Sequence, residues 1–156
     1  MQIKFLIIIL FSFIFSSTQF KSDLVILSTS NVHGEIEPCG WKKKPLGGLA
    51  RKATVIDQIK KEGANPIVVD SGNLFFKNNK PTIGLNNEIN QINAKTIVDA
   101  YNIIGCDAFS LGENDFSNGL DYIIDLRDSA NFPFISANIV DKRNNLIFNP
   151  YVIIDR

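Results

Sequence analysis

Short apolar runs and segments with helical periodicity alternate along the chain from about residue 23 onward. The runs are rich in β-branched or aromatic residues and open into polar turns, a pattern that predicts strands. Five strands are predicted, the first of them buried and the last a candidate antiparallel edge: Leu24–Leu27, Pro66–Val69, Ala108–Leu111, Phe134–Val140 and Tyr151–Ile154.

Between these runs, apolar residues recur three or four positions apart, which predicts three amphipathic helices. We expect inward faces made of Leu49, Ala53, Ile56 and Ile59 in the first, Ile89, Ile92, Ile97, Tyr101 and Ile104 in the second, and Leu120, Ile123, Ile124 and Leu126 in the third. Strands that alternate with helices are typical of an α/β fold with a parallel sheet.

Polar side chains follow three consecutive predicted strands. The strand exits read STSNVHG, VVDSGN and LGENDF, and they supply imidazole, carboxylate and amide groups. Ligands of parallel α/β sheets gather where the strands end at their carboxyl edge. The sequence therefore predicts a functional site at this edge.

The first residues have the pattern of an export signal. Lys4 precedes an apolar stretch from Phe5 to Phe15, and Ser16 and Thr18 suit the −3 and −1 positions of a cleavage site. We predict a signal peptide at 1–18, a single domain at 23–156, and a periplasmic or extracellular protein. An uncleaved anchor is the alternative, because the segment has no Ala-x-Ala site.

Composition and charge narrow the function classes. Of the 156 residues, 45% are hydrophobic and 21% charged, which is ordinary for a globular domain. Cleavage after Thr18 would remove Lys4 and leave 15 of the 16 basic residues against 16 acidic ones. A nucleic-acid binder would show a basic face, so we expect neither a nucleic-acid partner nor, after cleavage, a membrane one.

Four motifs carry a resemblance to a known family: TSNVHG at 29–34, GGLAR at 47–51, DSGN at 70–73 and LGENDF at 111–116. In this order and spacing the chain resembles the calcineurin-like metallophosphoesterases, and among them the secreted 5'-nucleotidase branch. The resemblance implies a metallophosphoesterase-like half-sandwich, incomplete at the C-terminus, because the family's second half and its substrate-binding domain would lie beyond residue 156.

The resemblance also implies two divalent metal ions that activate a water for attack on a phosphate ester, a task suited to carboxylates and imidazoles. Carried over residue by residue, the metal positions fall on Asn31, His33, Asn73 and Glu113. Asn114 stands at the position of the family's histidine, which assists the leaving group.

These motifs depart from the family pattern. Asn31 and Asn73 replace carboxylates, Glu113 replaces an amide, and Asn114 replaces an imidazole, while His33 is the only histidine in the sequence. Loss of a general acid typically costs a factor of about 100 to 10,000 in rate. A dinuclear hydrolase built from these residues alone is not expected; a single ion, or none, remains open.

Each candidate also has a structural interpretation. The three asparagines suit turns, because their side chains cap local backbone groups. Asp115 and Glu113 could cap the next turn, and Asp70 could orient the site without binding metal. The glycines at 47 and 48, with Arg51 nearby, could meet an anion or could only form a tight turn.

The loop around Cys39 is the remaining oddity. The sequence EPCGW resembles a sub-branch with Glu-Pro-Cys-Gly-Cys, in which Trp41 would be a second cysteine. Without it, Cys39 would be an exposed thiol or would pair with Cys106, which we expect to be a buried small apolar residue.

Three functions follow from these observations. The first is an exported 5'-nucleotidase-like phosphoesterase homologue that hydrolyses a phosphate ester with altered metal ligands. The second is a catalytically inactive module of the same fold that binds a metal ion or an anion. The third, and weakest, is redox or soft-metal chemistry at Cys39.

Overall fold

The computed structural model describes residues 24–40 and 46–155, so the predicted signal peptide and Trp41 lie outside the described residues. Four strands and three helices follow one another: β1 (Ile26–Thr29), α1 (Leu49–Lys61), β2 (Ile67–Asp70), α2 (Leu85–Ile104), β3 (Ala108–Ser110), α3 (Gly119–Ser129) and β4 (Phe134–Ile135). A 3₁₀ turn, Glu113–Phe116, lies between β3 and α3. Among these residues, no helix has the length and hydropathy needed to cross a membrane.

The four strands form one parallel sheet in the order β1-β2-β3-β4. Thr29 pairs with Asp70, Asp70 with Phe109, and Ser110 with Ile135, so the carboxyl ends of the strands lie at one edge. The predicted α/β class with a parallel sheet is confirmed.

An aromatic cluster fills the core next to β3 and β4. The ring centroids of Phe75 and Phe109 are 5.3 Å apart and those of Phe109 and Phe134 are 4.8 Å apart, both pairs packed edge to face. Such pairs add about 0.5–1.5 kcal/mol to the free energy gained by burial. Phe75 belongs to the exit loop of β2, so the core directly supports the loops of the predicted site.

Two strand predictions were wrong. β1 was expected to be buried, but Ile26 is 60% exposed, because β1 is an edge strand of the sheet and not a central one. Residues 151–154 form no strand; instead the chain returns beside β4 earlier, where Ser136 N donates to Asn149 O at 2.9 Å.

β4 is also shorter than predicted, and the inward face of α2 differs. The Ser136 hydroxyl accepts the backbone N–H of Ile139 at 3.2 Å, which turns the chain away from the ladder after Ile135. In α2, Ile89 and Ile92 are exposed. Gln91 instead turns inward, where its side chain donates to Asn118 Oδ1 at 3.0 Å.

Candidate functional site

The exit loops of β1 and β2 run side by side beyond the strands. The backbone N–H groups of Asn31 and His33 donate to the carbonyl oxygens of Gly72 and Asn73, both at 2.9 Å. Asn31, His33 and Asn73 have φ between 52° and 56°, in the left-handed region that asparagine tolerates better than most residues. The two loops therefore present their side chains from a fixed backbone.

Gly72 allows the exits of β2 and β3 to approach closely. Its φ is +102°, and a Cβ at this position would lie 2.6 Å from the backbone nitrogen of Gly112. Only glycine fits both the conformation and the space. The approach brings Asn73 next to the LGENDF loop.

The three asparagines of the predicted site are joined by hydrogen bonds. Asn73 Nδ2 donates to Asn31 Oδ1 at 2.9 Å, and the backbone N–H of Asn114 donates to Asn73 Oδ1 at 3.0 Å. The Asn114 amide donates to the backbone carbonyl of Lys77, also at 3.0 Å. Both polar atoms of the Asn73 side chain therefore already have partners within the protein.

Asp115 lies beneath this chain of amides and is fully buried, with 0% of its surface exposed. Its carboxylate accepts the backbone N–H groups of Gly112 at 2.8 Å and of Asn73 and Phe75 at 2.9 Å each. Burial raises the pKa of Asp115, and the N–H donors act in the opposite direction. The side chain ties the exits of β2 and β3 together.

Asp70 forms a second buried connection, at the end of β2. Its carboxylate accepts the Thr29 hydroxyl at 2.5 Å, the Tyr101 hydroxyl at 3.0 Å and the backbone N–H of Gly72 at 3.1 Å. Lys52 Nζ donates to Thr29 Oγ1 at 2.9 Å and lies 3.8 Å from the centroid of the Tyr101 ring. Asp70 thus links β1, β2 and α2, and Lys52 of α1 contacts two of its partners, Thr29 and Tyr101.

The sequence did not predict this role for Lys52 or Tyr101. Tyr101 was expected to be an inward-facing helix residue, and it is buried in α2. Lys52 lies within α1, where a lysine between apolar positions looks like a solvated residue. The available signal was that Lys52 directly follows Arg51, the last residue of the GGLAR segment.

Glu113 and His33 are closer to solvent than the aspartates. Glu113 is exposed, and its Oε1 accepts a hydrogen bond from Asn79 Nδ2 at 2.6 Å. His33 is half-buried and its backbone is fixed by Asn73. Of the four predicted metal positions, these two carry an imidazole or a carboxylate, so they are the remaining candidates for metal ligands.

The side chains present do not fit a bridged pair of divalent metal ions. Within residues 24–40 and 46–155, no three His, Cys, Asp or Glu side chains converge on one point. Asn73, at the expected bridging position, uses its oxygen for Asn114 N–H and its nitrogen for Asn31. In this part of the chain, one exposed carboxylate and one imidazole do not compensate the charge of two dications.

Two cavities flank the site at β1. The first, about 480 Å³, is bounded by residues such as Asn31, Cys39, Lys52 and Tyr101. The second, about 510 Å³, lies along β1 and α1 and is lined by Arg51, with Lys52 at the border of both. Arg51 and Asn31 therefore line different cavities.

Both cysteines are free thiols, so the pairing of Cys39 with Cys106 is not formed. Cys39 is exposed, and its backbone forms two hydrogen bonds with Leu46 at 2.8 Å each. Burial raises the pKa of Cys106 to about 12. A thiol with such a pKa is almost entirely protonated at neutral pH and therefore unreactive.

Comparison with known proteins gives a consistent group of relatives, although no family model matches the chain. The chain is 31% identical over 139 residues to a 5'-nucleotidase of Vibrio parahaemolyticus, covering 85% of this chain and 23% of that protein. It is 28% identical over 137 residues to a 2',3'-cyclic-nucleotide 2'-phosphodiesterase/3'-nucleotidase of Yersinia enterocolitica, covering 85% of this chain and 21% of that protein.

Solved structures agree with these relatives. The calcineurin-like phosphoesterase YfkN from Bacillus subtilis superposes with a TM-score of 0.66 at 26% identity, over 85% of this chain and 42% of that one. The chain thus spans between a fifth and a quarter of the two curated relatives. By sequence and by fold, the chain belongs to the calcineurin-like metallophosphoesterase superfamily, in its 5'-nucleotidase branch.

Proposed function

We propose that this chain is part of an exported 5'-nucleotidase-like phosphoesterase that hydrolyses a phosphate ester of the nucleotide class with an altered set of site residues. The observation that carries the proposal is the convergence of three strand exits at one sheet edge, where Asn73 is hydrogen-bonded to both Asn31 and Asn114. The two relatives are named for activities on nucleotides, which supports the substrate class.

Two residues of the site carry side chains that suit a divalent metal ion. His33 is the one imidazole, and Glu113 is an exposed carboxylate on the loop that carries Asn114. If a divalent metal ion contributes, these are the ligands that this part of the chain offers, and the ion would provide charge to the phosphate. The amides of Asn31 and Asn73 would orient the ester through hydrogen bonds.

Asn114 marks the largest chemical change. An amide does not titrate, and its Nδ2 already donates to the Lys77 carbonyl oxygen at 3.0 Å. It can position a leaving group but cannot give it a proton, so we expect turnover well below that of a site with histidine here.

The second candidate function is binding of the phosphate ester without turnover. The hydrogen bond between the side chains of Asn31 and Asn73 favours this binding function. The two amides bond to each other at the positions where two carboxylates would hold a bridged pair of ions. An amide cluster can hydrogen-bond a phosphate at lower electrostatic cost than two dications would need.

The experiment that separates the two functions is an assay of inorganic phosphate release from a nucleoside 5'-monophosphate. The purified protein is tested with added Mn²⁺ and with a chelator, beside His33→Ala. Hydrolysis by this site predicts release that the variant loses. Ligand-dependent thermal stabilisation with no release would instead establish the binding function.

A control variant makes a negative result informative. The quadruple change Asn31→Asp, Asn73→Asp, Glu113→Asn and Asn114→His restores the family's residue types at the four positions. Release by this variant but not by the wild-type protein would show that the four residues are what prevents turnover.

A further inference from the structure

Lys52 places a positive charge next to the predicted phosphate site. Its ammonium group reaches the carboxyl end of β1, where Nζ donates to Thr29 Oγ1 at 2.9 Å and lies over the Tyr101 ring. Thr29 is two residues before Asn31, and Lys52 and Asn31 line the same cavity of about 480 Å³. A ligand in that cavity can contact both side chains.

The charge of Lys52 is not consumed by an ion pair. The nearby carboxylate, Asp70, is already satisfied by three neutral donors: the hydroxyls of Thr29 and Tyr101 and the backbone N–H of Gly72. Among residues 24–40 and 46–155, no carboxylate forms an ion pair with the Lys52 ammonium. Of the three N–H donors of the Lys52 ammonium, one is used by Thr29.

The surroundings of Lys52 increase the benefit of an anionic ligand. Burial lowers the pKa of the Lys52 ammonium, and Asp70 only partly opposes this effect. A partly desolvated cation gains more from an anion than an exposed one, because water screens the pair less. The Tyr101 ring and the Thr29 hydroxyl also hold the ammonium in one place before any ligand arrives.

We propose that Lys52 is the anion-recognition residue of this protein and that the cavity of about 480 Å³ lined by Asn31 and Lys52 receives the phosphate group of the ligand. The proposal rests on the proposed function, since it names the contact made by the same phosphate ester. It assigns to a lysine of α1 part of the positive charge that metal ions give to the phosphate in the family.

Two acidic residues oppose anion binding at the mouth of this cavity. Glu35 and Glu37 both line it, and both are exposed. Their repulsion is reduced by water and salt, whereas the half-buried Lys52 is screened less. We therefore expect phosphate affinity to increase when salt is raised modestly from a low value, the reverse of ordinary surface binding.

The test measures binding of inorganic phosphate and of a nucleoside 5'-monophosphate by calorimetry to the purified protein. Lys52→Met should weaken both by about 10- to 100-fold, the range expected for a charge-assisted hydrogen bond. Lys60→Met is the matched control: it removes the same charge from the same helix, at an exposed position outside the cavity. Its affinity should equal that of the wild type.

A second measurement needs no variant, in case Lys52→Met does not fold. Reductive methylation of the wild-type protein, followed by peptide mass spectrometry, should be slowed by phosphate at Lys52 and not at Lys60. Equal binding by Lys52→Met and wild type, or no protection of Lys52, would overturn the inference while the proposed function stands. No binding of either compound to the wild type would overturn both.

Discussion

Two groups of side chains at the same sheet edge differ in what they contact. The buried aspartates, Asp70 and Asp115, each accept three hydrogen bonds, from β1, α2 or the exit loops. The solvent-facing group, Asn31, Asn73 and Glu113, has fewer partners, and these are largely side chains of the same loops. The first group holds the loops in place, and the second is available to a ligand.

The difference separates the residues that hold the loops from the residues that set the chemistry of the surface. The carboxylates that hold the loops at this edge, Asp70 and Asp115, are buried away from solvent. Exchange of Asn31 or Asn73 for another polar residue changes the chemistry of the surface but leaves Asp115 and its three backbone donors intact. Four predictions test this separation, from the largest expected effect to the smallest.

The largest effect is expected for Asp115→Ala. The change leaves the backbone N–H groups of Gly112, Asn73 and Phe75 without their acceptor, and each such buried donor costs about 1 kcal/mol or more. We expect a loss of about 3 to 5 kcal/mol in the free energy of unfolding, measured by urea denaturation.

Asp99→Ala is the control for that experiment. Asp99 is an exposed residue of α2 and should change stability by less than about 0.5 kcal/mol. Equal losses in the two variants would mean that Asp115 does not hold the loops.

The second prediction concerns Asn31→Asp combined with Asn73→Asp. The pair replaces an amide hydrogen bond of 2.9 Å by two facing carboxylates, so stability without metal should fall by about 1 kcal/mol or more. Mn²⁺ should then raise the melting temperature of the variant more than that of the wild type, because it neutralises both charges.

Asn65→Asp with Asn131→Asp adds the same two charges at exposed positions that precede β2 and β4. This control should show no additional response to Mn²⁺. A response in the wild type as large as in the site variant would contradict our view of the amide pair.

The sequence predicted the order of strands and helices because the two periodicities alternate clearly, and it predicted which loops meet because parallel strands share an edge. It could not show which carboxylates are buried. Glu113 and Asp115 lie two residues apart, and only the 3₁₀ turn directs Asp115 inward. The roles of Lys52 and Tyr101 depend on contacts between helices and strands distant in the chain, and the exposure of β1 depends on its place in the sheet.

The third prediction is a pH effect on stability that follows from the burial of Lys52. Burial lowers the pKa of Lys52 in the folded protein below its value in the unfolded chain, so the unfolded chain binds more protons between the two values. The free energy of unfolding should therefore rise with pH across this alkaline window in the wild type relative to Lys52→Met.

Tyr101 and Cys106 have raised pKa values and act in the opposite direction, but both remain in the variant. Lys52 lowers the pKa of Cys106, so its removal raises that pKa further and does not reverse the sign of the difference. Urea denaturation from pH 8 to pH 10.5 measures this difference in the free energy of unfolding between the wild type and Lys52→Met, with Lys60→Met as the reference. A difference that is flat with pH would show that the Lys52 ammonium is not desolvated by its position over Tyr101.

The smallest effect is expected at Glu113, although it lies two residues from Asp115. Its carboxylate is exposed and has one described hydrogen-bond partner, Asn79. Glu113→Ala should change the free energy of unfolding by less than about 0.5 kcal/mol. A double-mutant cycle with Asn79→Ala should give a coupling energy of the same small size, as for an exposed pair. A loss above 2 kcal/mol would place Glu113 among the residues that hold the loops, and the separation between the buried aspartates and the solvent-facing group would then fail.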